Sequence, residues 1–187
     1  MGLKFTSKSQ YQVMPWKNGQ GMTAQIQMFP EGASFPDGDF LWRLSSATVQ
    51  ASGPFSLFPG CDRILVVLSG EGLLLNSARL EPLNPIRFSG EFVIDCQLIG
   101  GEVVDLGLIF RRDKVQADVS IETLPAGAQT LSLNSKTHLL YLYSGSCEVQ
   151  GRRVEAGDTL QVTGEKEIAL RVLSSEGAKL IHFQVAD

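Results

Sequence analysis

Arg63-Ile-Leu-Val-Val-Leu-Ser-Gly70 and His138-Leu-Leu-Tyr-Leu-Tyr-Ser-Gly145 are two versions of one pattern, a charged or polar residue, an unbroken apolar run and a closing Ser-Gly. A short apolar run rich in β-branched, leucine and aromatic residues that ends on glycine reads as a buried strand entering a tight turn. The likeness continues downstream. A strand and a polar turn lead from Gly70 to Pro85-Ile-Arg-Phe-Ser-Gly90, while Cys147-Glu-Val-Gln-Gly151 and Val154-Glu-Ala-Gly-Asp158 lead from Gly145 to Thr159-Leu-Gln-Val-Thr-Gly164. The offset is about 75 residues throughout, so two copies of one β-unit fill the chain. They join near residues 112 to 120, where Arg111-Arg112-Asp113-Lys114 interrupts the apolar pattern, and domains of 1–115 and 116–187 are expected.

The surrounding sequence agrees with an all-β chain. Apolar residues recur at period two in Thr23-Ala24-Gln25-Ile26-Gln27-Met28, in Trp42 to Val49 and in Ile168 to Val172, the alternation of half-buried strands. Turn signals fall at intervals of about ten residues, and no window carries an apolar stripe of helical period. With 43% hydrophobic and 19% charged residues among 187, the composition is that of a chain with a real core. Its net charge of −4, without a basic block, excludes the electrostatic footprint of a nucleic-acid binder. The run Ile64 to Leu68 is far short of the roughly 20 residues that cross a bilayer. Met1-Gly2-Leu3-Lys4-Phe5-Thr6 lacks the apolar region of a signal peptide, although it fits the loose myristoylation pattern. Cys61, Cys96 and Cys147 are odd in number and contain no Cys-x-x-Cys, so neither a disulfide framework nor a cysteine zinc site is expected. A reducing, cytoplasmic setting follows as the default.

A unit of short strands with a Val-Leu-x-Gly turn and a later Gly-Asp turn resembles the cupin barrel. Two in tandem imply an all-β bicupin of RmlC-like β-barrels, the competing reading being a generic β-sandwich. Cupins that carry chemistry grip a divalent metal with three His and one Glu, donors suited to Mn, Fe, Ni or Zn. Laid on this chain, that frame puts Arg63 at the Glu position, Ser56 and Phe58 at two His positions and Arg87 at the third. In the second copy His138 takes the Glu position, with Leu131, Leu133 and Leu160 at the others. No metal and no cofactor are expected. Arg63 inverts the charge where a cation would sit, and a buried guanidinium needs a partner. Asp62, Asp105 or a ligand anion could supply it.

Several segments together resemble the HutD/Ves family of bicupins. They are Pro15-Trp16-Lys17-Asn18-Gly19-Gln20-Gly21-Met22-Thr23, Trp42-Arg43-Leu44-Ser45-Ser46-Ala47, Gly53-Pro54-Phe55-Ser56-Leu57-Phe58-Pro59-Gly60-Cys61-Asp62-Arg63, Phe88-Ser89-Gly90-Glu91, and Gly101 to Asp105 leading to Arg111-Arg112. The chain departs from the family pattern at Gln20 for Gly, Gln25 for Glu, Glu91 for Asp and Leu106-Gly107 for Phe-Asn. The resemblance implies a cytoplasmic bacterial protein associated with histidine-utilisation enzymes and moderating that pathway, with no established enzymatic activity. Because edge strands of cupins pair across dimers, it also implies a homodimer.

The residues themselves point to a carboxylate site. Alternation puts Arg43, Ser45 and Ala47 on one face of a strand, where Arg43 either meets a ligand or lies outside in solvent. A guanidinium can grip a carboxylate with two parallel hydrogen bonds, and Arg43 with Arg63 would form a clamp. Lys17 and Asn18 lie in a glycine-rich loop that can approach a ligand or simply form an Asn-Gly turn. Trp16, Phe55 and Phe58 offer flat apolar walls or plain core. No Gly-x-Ser-x-Gly elbow is present, and His138 with Asp158 or Glu155 is the one candidate acid–base pair. The expected function is therefore non-catalytic binding of a small carboxylate metabolite through Trp16, Lys17, Asn18, Arg43, Ser45, Phe55, Phe58 and Arg63, and the family resemblance implies a histidine-degradation intermediate as one candidate for that metabolite. The alternative is a metal-independent isomerase or lyase acting on a small organic acid.

Overall fold

The computed structural model describes residues 2–16 and 19–186. The strands are β1 (Gly2–Thr6), β2 (Gln12–Pro15), β3 (Gly21–Phe29), β4 (Trp42–Val49), β5 (Gly53–Pro54), β6 (Cys61–Ser69), β7 (Leu73–Leu75), β8 (Ala78–Leu80), β9 (Ile86–Ser89), β10 (Asp95–Leu98) and β11 (Val103–Arg111). The second half supplies β12 (Gln116–Leu124), β13 (Gly127–Ser132), β14 (Thr137–Ser144), β15 (Ser146–Val149), β16 (Arg152–Glu155), β17 (Thr159–Thr163), β18 (Glu167–Val172) and β19 (Ala178–Ala186). A single 3-10 turn, Lys8–Gln10, is the only helical element among the described residues, and no helix is long and apolar enough to cross a membrane.

Contacts divide the chain into two compact units, Tyr11–Val115 and a second made of Met1–Gln10 with Gln116–Asp187. The first unit stacks a six-stranded sheet, ordered β2-β3-β4-β11-β6-β9, with a four-stranded sheet, ordered β5-β10-β7-β8. The second has sheets ordered β1-β17-β14-β19-β12 and β13-β18-β15-β16. The sheets are open, each ending on two edge strands, so the expected tandem barrels are not seen as closed barrels. The boundary drawn from sequence at residue 1 also changes. β1 pairs antiparallel with β17, Leu3 facing Val162 and Phe5 facing Leu160, and Leu3 and Phe5 pack on the second unit's core.

The internal repeat is visible in the pairing. β6 lies between β11 and β9, as β14 lies between β19 and β17. Both Ser-Gly turns need their glycine. Gly70 has φ +97° and its missing Cβ would lie 2.7 Å from the Glu102 carbonyl oxygen; Gly145 has φ +84° and would meet the Gly177 oxygen at 2.6 Å. A side chain there would clash with backbone as well as strain φ.

The two interiors differ. In the second unit Leu131, Leu133, Leu140, Leu142, Leu160, Val162, Ile168 and Leu180 are all buried in one cluster. In the first, one cluster around Leu65, Leu73, Leu75, Leu80 and Cys96 fills one region and a smaller one around Phe40, Cys61 and Ile109 fills another. A cavity remains between its sheets. The three cysteines are buried and free.

Candidate functional site

The cavity has a volume of about 590 Å³. Its floor is built by strand register. In the six-stranded sheet Arg43 and Arg63 both pair with Ile109, from opposite sides of β11. Ser45 and Leu65 both face Gly107, and Ala47 and Val67 both face Asp105. Period-two alternation sends positions 43, 45, 47, 63, 65, 105, 107 and 109 to one face, and all of these line the cavity. The two arginine Cα atoms flank one strand and so stand roughly 10 Å apart, a spacing that lets long side chains converge on one ligand. Gly107 leaves the centre of the floor bare.

Arg43 is 7% exposed. Its Nε donates to Gln25 Oε1 at 2.9 Å, and its guanidinium lies 4.4 Å from the centre of the Phe35 ring. Neither neighbour carries charge. Burial brings its pKa down to about 10, still well above neutral, so the side chain remains cationic. Arg63 is enclosed by three rings, Phe55 at 4.8 Å, Phe88 at 5.1 Å and Phe58 at 5.5 Å. Such contacts stabilise a cation without neutralising it. Burial lowers its pKa, and the negative field of Asp105 works in the opposite direction. Among the described residues no carboxylate lies within 4.0 Å of either guanidinium. Asp62, one of the expected partners of Arg63, is instead shared by Arg87 at 2.8 Å and Arg112 at 3.0 Å.

Among the described residues Asp105 is the one carboxyl in the cavity wall, 5% exposed. Burial pushes its pKa up to about 7, against the pull of Arg63 and of the Ala47 N–H that it accepts. The cavity therefore carries two fixed positive charges and an acid poised near neutrality. Cys96 also lines it, but burial and nearby carboxylates push its thiol to about 12 and keep it protonated.

Of the residues expected from sequence, Trp16, Arg43, Ser45, Phe55, Phe58 and Arg63 all line this cavity, while Lys17 and Asn18 lie outside the described residues. The outer-face reading of Arg43 is corrected, because β4 turns that side chain inward. Trp16 is fixed by a 2.8 Å hydrogen bond from its Nε1 to Thr23 Oγ1. Sequence reasoning offered Asp105 only as a partner for Arg63, not as a site residue, and missed Gly107 as the open centre of the floor. The alternation of Val103–Arg111 was the signal, since it places 105, 107 and 109 on the face opposite Leu106 and Leu108. Gln25, where the family pattern has Glu, holds Arg43 through a neutral amide. Glu91 instead serves architecture. It accepts from Gly60 N, Ser89 Oγ and Arg112, bonds that hold its pKa near 2.

The acid–base pair expected around His138 does not form. His138 Nδ1 lies 2.8 Å from His182 Nε2, and its Nε2 meets the Ser135 carbonyl oxygen at 3.0 Å. Asp158 binds the backbone of Lys8 and of Glu155. Both rings are buried, and burial lowers both pKa values, that of His182 to about 4. Among the described residues no three His, Cys, Asp or Glu side chains stand together as a metal site.

An arginine-lined chamber between two open β-sheets belongs to a cupin-like all-β protein; Escherichia coli pirin YhhW, solved in complex with nickel(II), shares the fold at a TM-score of 0.64 and 10% identity over 98% of both chains. The HutD family profile matches residues 8–180, and the chain belongs to that family. It is 35% identical to an uncharacterized 21.2 kDa protein in the hutC 3′ region of Pseudomonas putida, covering 89% of this chain and 90% of the relative. Protein Ves of Citrobacter koseri is 30% identical, over 88% and 85%. Among solved structures, a conserved protein of unknown function from Pseudomonas aeruginosa PAO1 has a TM-score of 0.84 at 30% identity and full coverage of both chains. HutD of Pseudomonas fluorescens SBW25 has 0.81 at 28%, over 99% of this chain and 98% of that one.

Proposed function

We propose that the protein binds a small carboxylate metabolite in the first unit's cavity, without turning it over, and thereby modulates histidine utilisation in the cytoplasm. In this reading each unit is a cupin-type barrel in opened form, and only the first has kept its interior free. The observation that carries it is the pair Arg43 and Arg63, two cations on one cavity face whose contacts among the described residues are with neutral or aromatic groups. An uncompensated interior charge is costly, and a ligand carboxylate that accepts from both guanidinium groups offsets that cost. Charge-assisted hydrogen bonds of this kind contribute about 1.5–3 kcal/mol each. Trp16, Phe55 and Phe58 would hold the body of the ligand. The hutC-region relative and the HutD structure support histidine breakdown as the source of the ligand.

The test is a thermal-shift screen with urocanate, imidazolone propionate, formiminoglutamate, formylglutamate and formate, followed by mass spectrometry of the mixture. Ligand at a hundred times its Kd stabilises by about 2.7 kcal/mol, a rise in Tm of roughly 5–10 °C. The compound should be recovered unchanged, and Arg63→Ala and Arg43→Ala should each remove the shift. Shifts retained in both variants, or absent for every compound, would overturn the reading. A metal-independent isomerase or lyase is the second reading. It is favoured by Asp105, an acid that can give and take a proton near neutral pH, and conversion of the ligand in the same mixture would decide for it.

A further inference from the structure

The cavity that carries the proposed anion site also holds a carboxyl group, and the two conflict. Asp105 lies on β11 four residues from Ile109, whose two neighbours across the sheet are Arg43 and Arg63. Along a strand this is roughly 13 Å between Cα atoms, a gap that arginine side chains shorten. The carboxyl accepts the Ala47 N–H, and among the described residues no cation comes within 4.0 Å of it. Arg63 attracts it only from a distance. The charged and titratable groups that face it are Arg63 on β6, Arg43 on β4 and Cys96 on β10. From β3 the cavity receives neutral Thr23, and from β5 only Gly53 and Pro54.

An organic anion held by the arginines would therefore share a poorly hydrated chamber with an ionised Asp105. Like charges in such surroundings repel strongly, and the weaker acid of the two takes up a proton. We propose that Asp105 is the specificity-determining residue of this cavity: an organic anion binds together with one proton, which rests on the Asp105 carboxyl. The proton comes from solvent on entry and returns to it on release. No covalent bond changes. The inference rests on the anion-binding reading above and adds to it a rule of selection, since the two guanidinium charges balance a dianion only while Asp105 is protonated. Burial already places Asp105 near half-protonation at pH 7. Arg43 stays cationic and Cys96 stays a thiol over the same range, so neither competes for that proton.

The test is calorimetric titration of the full-length protein with benzoate and with formate, both ionised throughout, from pH 6 to pH 9 in buffers of different ionisation enthalpy. Binding linked to one proton gives a Kd that is flat below about pH 7 and rises by up to tenfold per unit above it. Proton uptake should approach one per benzoate bound on that rising limb. Asp105→Asn keeps an acceptor for the Ala47 N–H and should bind benzoate with equal Kd at pH 6 and pH 8.5, without uptake. Binding by the native protein that is independent of pH and buffer would overturn the proposal and leave the anion site standing, as would an Asp105→Asn variant with the native slope. No binding of either probe at any pH would overturn both. Should the variant fail to fold, the buffer dependence of the native protein decides alone.

Discussion

Arg63 and His138 occupy the same place in the two units, and so do Gly107 and His182. The correspondence follows from pairing: Leu65 faces Gly107 across β6 and β11, and Leu140 faces His182 across β14 and β19. In the second unit the two imidazoles are buried and hydrogen-bonded to each other, and a cluster rich in leucine fills the interior. In the first, an arginine that points at aromatic rings and a glycine with no side chain leave about 590 Å³ open. One sheet arrangement thus occurs once with a packed interior and once with a cavity, and the difference lies in a few inward positions. Interiors normally close to crystal-like density because voids forfeit dispersion contacts. A unit that stays hollow with a buried acid and two cations that have no ion-pair partner among the described residues is less stable than it could be.

The largest expected effect breaks that contrast at Asp105. Its folded pKa of about 7 lies above the ordinary 3.8, so its favourable contribution is complete below the unfolded value and is lost as pH rises through about 7. Above that point the ionised group costs up to about 4 kcal/mol at 1.36 kcal/mol per unit. Asp105→Asn should therefore exceed the native protein in denaturant-measured stability by up to that amount at pH 8.5, with a smaller advantage at pH 5. A constant difference across this range would show that the buried carboxyl does not titrate there.

The second unit should have the opposite slope. His182 has a folded pKa of about 4 against 6.5, and His138 is lowered as well. For a depressed group the stability is complete above the unfolded value and disappears as pH falls toward the folded one. The loss between pH 6.5 and pH 4 is on the order of 3 kcal/mol for His182, with Glu122 moderating it. Replacing both rings, His138→Leu with His182→Leu, suits the leucine-lined interior and should flatten the acid limb in denaturation measured at pH 7 and pH 4.5. A double variant as acid-sensitive as the native protein would place that sensitivity elsewhere.

Much of this contrast is written in the sequence, and the rest depends on pairing between distant strands. The Ser-Gly ends of the two repeats and the period-two runs marked β6, β14, β3 and β4, and inward alternation brought Arg43 and Ser45 together with Arg63. The exchange of β1 was not legible, because Leu3 and Phe5 fit any edge strand and their partners Val162 and Leu160 lie at the far end of the chain. His138 invited pairing with Asp158, which is near in sequence. The β14–β19 register brings it His182 instead. Closure of a barrel is likewise a property of which edges meet, and no local pattern encodes it.

The smallest effect tests the centre of the cavity floor. Gly107 is not among the glycines with positive φ, so an L-residue suits its backbone, and a Cβ there would lie 3.6 Å from Leu65 Cδ1 and 3.9 Å from the Ile64 carbonyl oxygen. These are ordinary contacts. Glycine inside a strand weakens it through chain entropy, by roughly 0.5–1 kcal/mol relative to alanine. Gly107→Ala should therefore raise stability by about that amount in denaturant titrations. It should also weaken benzoate binding only slightly, because one methyl group removes little of the chamber. A longer side chain at the same position would begin to rebuild the second unit's filled interior, with binding lost as stability rises. If Gly107→Ala instead destabilises the protein, the bare floor is required by the backbone itself rather than kept open for a guest.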